Sequence, residues 1–163
     1  MNFALKNFCD IIPRVNFTCE GGKVLSVKIF FRVHFYDTDE MGVVHHSNYI
    51  RWFETGRVEF LRSIGITLTE MMSDKILFPL TEVKAKYFRP AHFDDELELE
   101  TNPLTLTKVK MEFNYKIRRR GEEEILVSGY SQNVFTNMET GKIIRLPDKY
   151  FLKLDEAMLE EMD

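Results

Sequence analysis

The chain has 163 residues, of which 44% are hydrophobic and 13% aromatic, enough to fill the core of one domain without covalent cross-links. Its formal net charge is −4 and its one basic block is Arg118–Arg120, so the composition gives no support for nucleic-acid binding. No apolar run is long enough to span a bilayer and no signal-peptide pattern opens the chain, so we expect a cytoplasmic protein without a membrane partner.

Residues 1–24 have the least regular pattern of the chain. An apolar stretch precedes Pro13 and a Gly-Gly turn pair, which is compatible with either a short helix or an extra strand. Cys9 and Cys19 lie in this segment without CxxC or Cys/His spacing, so we expect free thiols in a reducing compartment.

Apolar and polar residues alternate from Ser26 to Tyr36, which predicts a half-buried strand. If the strand stays extended, Asp37 and Asp39 continue its apolar face, so at least one carboxylate should approach the interior. A buried carboxylate costs free energy unless it is hydrogen-bonded or used in chemistry. The loop after this strand is therefore the first place to expect a functional site.

A long helix is predicted after this loop. Ser47 and Asn48 are both good N-cap residues, apolar residues recur as far as Ile64, and Gly65 is a suitable C-terminal stop. The apolar residues cover more than one narrow stripe, which suits a helix that is wrapped by a sheet and also meets a second surface. We therefore expect this helix to be central to the fold.

Strand patterns dominate the rest of the chain. Period-two alternation predicts strands at 81–88, 96–100 and 108–118. A hairpin turn at Gly121 leads into a strand at 124–135, and a turn at 138–141 precedes a short strand at 142–146 and a last helix at 148–161. Consecutive strands beside one long helix predict an α+β fold, in which an antiparallel sheet curls around that helix. A doubly wound parallel sheet would need helices between the later strands. We predict a single domain over residues 1–163.

Two segments of the chain resemble a known family. The first is Tyr36–Tyr49, YDTDEMGVVHHSNY, followed by Glu54, Arg57 and Leu61, and it resembles the signature of hotdog-fold thioesterases of the 4-hydroxybenzoyl-CoA thioesterase type, especially their acyl-CoA branch. The second is Tyr87–Ala91, YFRPA, with two aspartates shortly after it. The resemblance covers most of the chain. It implies a sheet wrapped around a central helix, and a homodimer or homotetramer whose active sites lie between subunits.

Hydrolysis of an acyl-CoA thioester is the activity that the resemblance implies. By this resemblance Asp39 stands at the catalytic carboxylate, where it would attack the thioester or deprotonate a water, and His46 stands at an assisting histidine. The N-terminus of the long helix offers unpaired amides near His46–Asn48, which would polarise the thioester carbonyl. No cofactor is required, and the adjacent His45 and His46 lack the third and fourth ligands of a metal site.

Six further residues complete the predicted site as substrate-binding residues: Gly42, Val43, Ser47, Asn48, Tyr49 and Arg89. Arg89 is expected to contact the phosphates of coenzyme A, because it belongs to the second segment of the resemblance. Asp37 is expected to hold the loop through hydrogen bonds.

Two other functions stay open at this point. An acyl-carrier-protein thioesterase would need a basic docking patch beside the site, and a non-catalytic acyl-binding protein would bind its ligand without turning it over. A hotdog dehydratase is disfavoured, because its His and Glu pattern with a Pro-Gly-rich segment opening the helix is absent. The acyl group itself depends on pocket depth, which is set by packing across a subunit interface.

Overall fold

The computed structural model describes residues 14–18 and 26–159. The strands in these residues are β1 (Arg14–Thr18), β2 (Ser26–Arg32), β3 (Ile76–Leu77), β4 (Leu80–Tyr87), β5 (Glu96–Leu106), β6 (Lys110–Arg119), β7 (Ile125–Val134) and β8 (Thr136–Asn137). The α-helices in the same part of the chain are α1 (His46–Ser63), α2 (Leu68–Ser73) and α3 (Asp148–Leu159), and a short 3₁₀ helix spans Phe35–Asp37. The thiol prediction for Cys9 and Cys19 lies outside the described residues.

One antiparallel sheet has the strand order β1-β2-β5-β6-β7-β4, and β3 pairs with β8 in a separate ladder. β1 is an extra strand, one of the two options predicted for the N-terminal segment. The hairpin between β6 and β7 turns at Gly121, whose φ of +80° is the left-handed conformation that favours glycine. The predicted α+β architecture with an antiparallel sheet is therefore confirmed.

The inner face of this sheet packs on α1. Alternate residues of the strands point toward the helix, among them the fully buried Leu99 of β5 and Val127 of β7. Phe53 of α1 is also fully buried, and its ring stacks on that of Tyr115 with 4.4 Å between the centroids. A sheet that curls around one central helix is the hotdog fold that the resemblance implies.

Two glycines let α1 approach the sheet closely. A Cβ atom on Gly129 of β7 would lie 2.3 Å from Cζ of Phe53. On the helix, a Cβ atom on Gly56 of α1 would lie 2.2 Å from Oγ1 of Thr101 in β5. Because neither position has room for a methyl group, these two contacts set the distance between helix and sheet.

The variant Gly129→Ala is expected to lose about 1–3 kcal/mol of unfolding free energy, the usual cost of overpacking a core. Alanine ordinarily suits a strand better than glycine does, so a loss has to come from the collision with the buried Phe53 ring. Urea denaturation would measure it. Ser128→Ala, one residue earlier and on the other face of β7, is the matched control. Equal unfolding midpoints for both variants would contradict the steric argument.

β2 is shorter than the predicted strand. It ends at Arg32, and the chain then turns through the 3₁₀ helix instead of staying extended to Tyr36. Phe35 is consequently 76% exposed, whereas Asp37 is buried and its Oδ2 accepts the N–H of His34 at 2.8 Å. This hydrogen bond from backbone to side chain favours the turn over the strand. One of the two carboxylates thus approaches the interior, as predicted.

α1 begins at His46, earlier than predicted, and its N-cap is His45. The prediction that Ser47 or Asn48 caps the helix is wrong. His45 takes this place because its backbone is extended (φ −62°, ψ 133°) and its Nδ1 accepts the N–H of Ser47 at 3.3 Å. A ring nitrogen here replaces the side-chain oxygen of the usual caps. The predicted stop at Gly65 is confirmed by its φ of +73°.

The predicted strand at 142–146 is wrong. Ile143 makes only an isolated bridge with Thr136, and the N–H of Leu146 donates to the carbonyl of Lys108 at 2.7 Å. The chain therefore leaves the β3–β8 ladder almost at once and crosses to the β5–β6 connection. α3 begins at Asp148, as predicted. None of the helices in the described ranges combines the length and the hydropathy needed to cross a membrane.

Candidate active site

A pocket of about 310 Å³ opens where the loop before α1 meets the end of β4. Its lining comes from both segments that carry the resemblance: Asp39, Met41, Val43, Val44, His46, Tyr49, Tyr87, Phe88, Arg89 and Pro90. The structure therefore brings together residues that are about 50 positions apart in the chain. The predicted site residues lie in this lining, except Gly42, Ser47 and Asn48.

Asp39 is held by a tight loop. Its N–H donates to the carbonyl of Val43 at 3.0 Å, and its own carbonyl accepts the N–H of Gly42 at 2.9 Å. Gly42 has a φ of +74°, which this tight return of the chain requires. The side-chain Oδ1 accepts the N–H of Met41 at 2.8 Å, while Oδ2 accepts no hydrogen bond from the described part of the chain. One carboxylate oxygen thus fixes the side chain and the other stays available.

His46 supplies the first amide of α1. Its N–H has no acceptor within the helix, as at any helix start, and none elsewhere in residues 26–159. The next two amides are occupied, because Ser47 N–H donates to Nδ1 of His45 and Asn48 N–H donates to the carbonyl of His45. The predicted group of amides at the helix start is thereby reduced to one free donor, that of His46. The His46 ring itself is exposed and lies 4.1 Å from that of His45.

The end of β4 fixes the first turn of α1 from the other side. Tyr87 donates its hydroxyl hydrogen to the carbonyl of His46 at 3.2 Å. The Ala91 backbone makes two bonds: its N–H donates to the Tyr49 hydroxyl at 3.3 Å, and its carbonyl accepts the N–H of Val44 at 2.8 Å. Burial raises the pKa of both tyrosines, so their hydroxyls stay protonated. The second segment therefore braces the helix start and also lines the pocket.

Arg89 already has a charged partner. Its Nε donates to Oε1 of Glu124 at 3.0 Å, and both side chains are exposed. A second cavity, of about 490 Å³, shares Arg89 and Phe88 with the first and is also lined by Glu123 and Glu124. The cation expected to meet phosphates thus lies beside two carboxylates.

Several lining residues were not predicted: Met41, Val44, Tyr87, Phe88 and Pro90. All of them fall inside the two segments of the resemblance, so membership of these segments could have been used to predict them as lining residues. In the ranges that the structure describes, no three His, Cys, Asp or Glu side chains are grouped in a way that could hold a metal ion. The absence of a cofactor stays a prediction.

Comparison with known families gives a match over most of the chain. A family model described as the thioesterase-like superfamily matches residues 33–158. This span contains the loop with Asp39, all of α1 and the end of β4, so it includes every residue that lines the pocket.

Individual relatives agree with this match. The crystal structure of a hypothetical protein from Aquifex aeolicus is 31% identical, with a TM-score of 0.72 over 78% of this chain and 98% of that one. The DHNA-CoA thioesterase from Staphylococcus aureus is 25% identical, with a TM-score of 0.74 over 81% of this chain and 87% of that one. The acyl-CoA thioester hydrolase YbgC from Escherichia coli is 31% identical over 86 residues, which are 53% of this chain and 64% of YbgC.

Proposed function

The chain belongs to the thioesterase-like superfamily, and we propose that it hydrolyses an acyl-CoA to the free acid and coenzyme A. The observation that carries this proposal is that one pocket is lined by a carboxylate with an available oxygen, on Asp39, and by the residue with the free helix amide, His46. These are the two groups that thioester hydrolysis needs, a nucleophile or base and an oxyanion donor. The names of relatives such as YbgC agree with this activity.

In the proposed reaction the thioester carbonyl oxygen accepts a hydrogen bond from the His46 N–H. The positive end of the α1 dipole stabilises the negative charge that develops on this oxygen. Asp39 then either attacks the carbonyl carbon, which expels the coenzyme A thiolate and leaves an anhydride for water to hydrolyse, or removes a proton from the water that attacks. Both routes give the same acid and thiol.

The other predicted site residues, apart from Asn48, take supporting roles in this proposal. Val43 and Tyr49 belong to the apolar part of the lining and contact the acyl group. Arg89 holds a phosphate of coenzyme A, which requires that it exchange its present carboxylate partner. Gly42 supplies the left-handed turn that returns the chain after Asp39. Ser47, whose Oγ lies 2.8 Å from Nδ1 of His45, orients that ring at the helix start.

We also propose that two or four copies assemble with the pocket at their interface. Three large apolar residues between β2 and α1 are strongly exposed in the single chain, and the last of them lines the pocket: Phe35 at 76%, Tyr36 at 78% and Met41 at 79%. Apolar surface of this kind commonly marks an interaction site. Light scattering on the purified protein would give the number of copies, and a monomer at micromolar concentration would contradict the proposal. The cytoplasmic location stays a prediction.

The proposed activity is tested by release of free thiol from a panel of short, long and aromatic acyl-CoA thioesters. Turnover of at least one is expected, and the preferred one identifies the acyl group. No turnover across the panel would overturn the proposal. An acyl-carrier-protein substrate belongs in the same panel; Arg89, a cation that could face such a carrier, is paired with Glu124.

A further inference from the structure

Asn48 was predicted to bind substrate, but it contacts the loop before α1 and does not line the pocket. Its side chain is 7% exposed and is absent from the pocket lining. Its Nδ2 donates to the backbone carbonyl of Asp37 at 2.7 Å. Asn48 therefore reaches from the first turn of α1 back to the loop that leads to the pocket.

The Asp37 carbonyl accepts two hydrogen bonds from the start of α1. Besides the Asn48 amide it accepts the N–H of His45 at 2.9 Å. The Asp37 side chain meanwhile accepts the N–H of His34, which closes the 3₁₀ turn. The peptide that precedes the Asp39 loop is thus tied at two points to the start of the helix, and only one of these ties comes from a side chain.

We propose that Asn48 is a positioning residue, which holds the Asp39 carboxylate at its working distance from the helix amide. This inference rests on the proposed role of Asp39 in acyl-CoA hydrolysis. α1 is located by its packing on the sheet, so the amide donor at its start stays in place without Asn48. The Asp39 loop is closed by its own hydrogen bonds and its Val44 end is anchored to Ala91, whereas its Asp37 end is held to the start of α1 by the bonds from Asn48 and His45. Loss of the Asn48 bond therefore moves the carboxylate and not the amide.

The test is a double-mutant cycle on the full chain. Asn48→Ala is expected to lower kcat roughly 10-fold, since misplacement of a reacting group by a fraction of an ångström is costly. KM should stay within about 2-fold, because Asn48 does not reach the pocket. In the Asp39→Asn background the same substitution should cost nothing further, since no reactive carboxylate remains to be positioned.

Asn114→Ala, the same change on the exposed face of β6, is the control and should leave kcat unchanged. Asn48→Leu retains the volume without the donor, so it separates the lost hydrogen bond from a cavity and should match Asn48→Ala in kcat. An equal loss in both Asp39 backgrounds, no loss in either, or failure of both Asn48 variants to fold would overturn the inference. Asp39→Asn alone tests the proposed function, so the two ideas can fail separately.

Discussion

Replacing Asp39 by asparagine is expected to lower kcat for the preferred acyl-CoA by ~100-fold or more, the scale for loss of a positioned base or nucleophile. The amide retains the size of the side chain and can still accept the N–H of Met41 through its oxygen, so the loop should stay folded. What disappears is the negative charge on the second oxygen. Neither attack on the carbonyl nor deprotonation of water is then possible.

Thiol release under saturating substrate would measure this loss, and circular dichroism would show that the fold is retained. Asp155→Asn on α3 removes a carboxylate that is not part of the pocket lining and should leave the rate unchanged. A fully active Asp39→Asn would reject Asp39 as the reacting group. A different outcome, in which wild type and Asp39→Asn bind acyl-CoA equally tightly and neither turns it over, would favour an acyl-binding protein without catalysis.

The second large effect is expected from His46→Pro, which deletes the amide at the start of α1 that has no acceptor among the described residues. Removal of one oxyanion donor typically costs ~100-fold or more in kcat. Proline is well accepted at the first helical position, and His45 already has the extended backbone preferred before proline. The Tyr87 bond to the carbonyl of residue 46 can also persist. The helix should therefore survive while its donor is lost.

His46→Ala is the matched control, because it loses the imidazole and retains the amide. Its kcat should fall less than that of Asp39→Asn and much less than that of His46→Pro. Equal losses in the alanine and proline variants would assign the effect to the ring and reject the amide as oxyanion donor. An alanine variant as slow as Asp39→Asn would mean that the histidine ring takes part in the chemistry itself.

The fold was predictable because packing between distant elements requires a regular pattern of apolar residues within each element. The period-two pattern of β6 and the broad apolar surface of α1 follow directly from a sheet with one face on a helix. Where the prediction failed, local hydrogen bonds decided. Asp37 pulls the chain into a 3₁₀ turn after β2, and His45 caps α1 in place of Ser47.

The location of the candidate site was predictable, but its geometry was not. Asp39, His46 and Arg89 were found through motif resemblance, and they do line one pocket. Within the part of the chain that the structure describes, the His46 amide is left free because neighbours occupy the next two donors. Side-chain partners such as Nδ1 of His45 leave no periodic signal in the sequence. The Arg89 ion pair with Glu124 likewise needs the β6–β7 hairpin to fold back beside β4.

The close packing of α1 against the sheet, at Gly56 of the helix and Gly129 of β7, also bears on the proposed chemistry. Gly56 lies ten residues after His46, or about 15 Å along the helix axis at 1.5 Å per residue. Because the helix is rigid over that length, a small tilt at the glycine contacts also displaces the His46 amide. In the proposed reaction this is the amide that would face the thioester. Activity should therefore fall when bulk is added at these core positions, before the protein unfolds. The position of the amide is set by helix–sheet packing that the substrate does not touch.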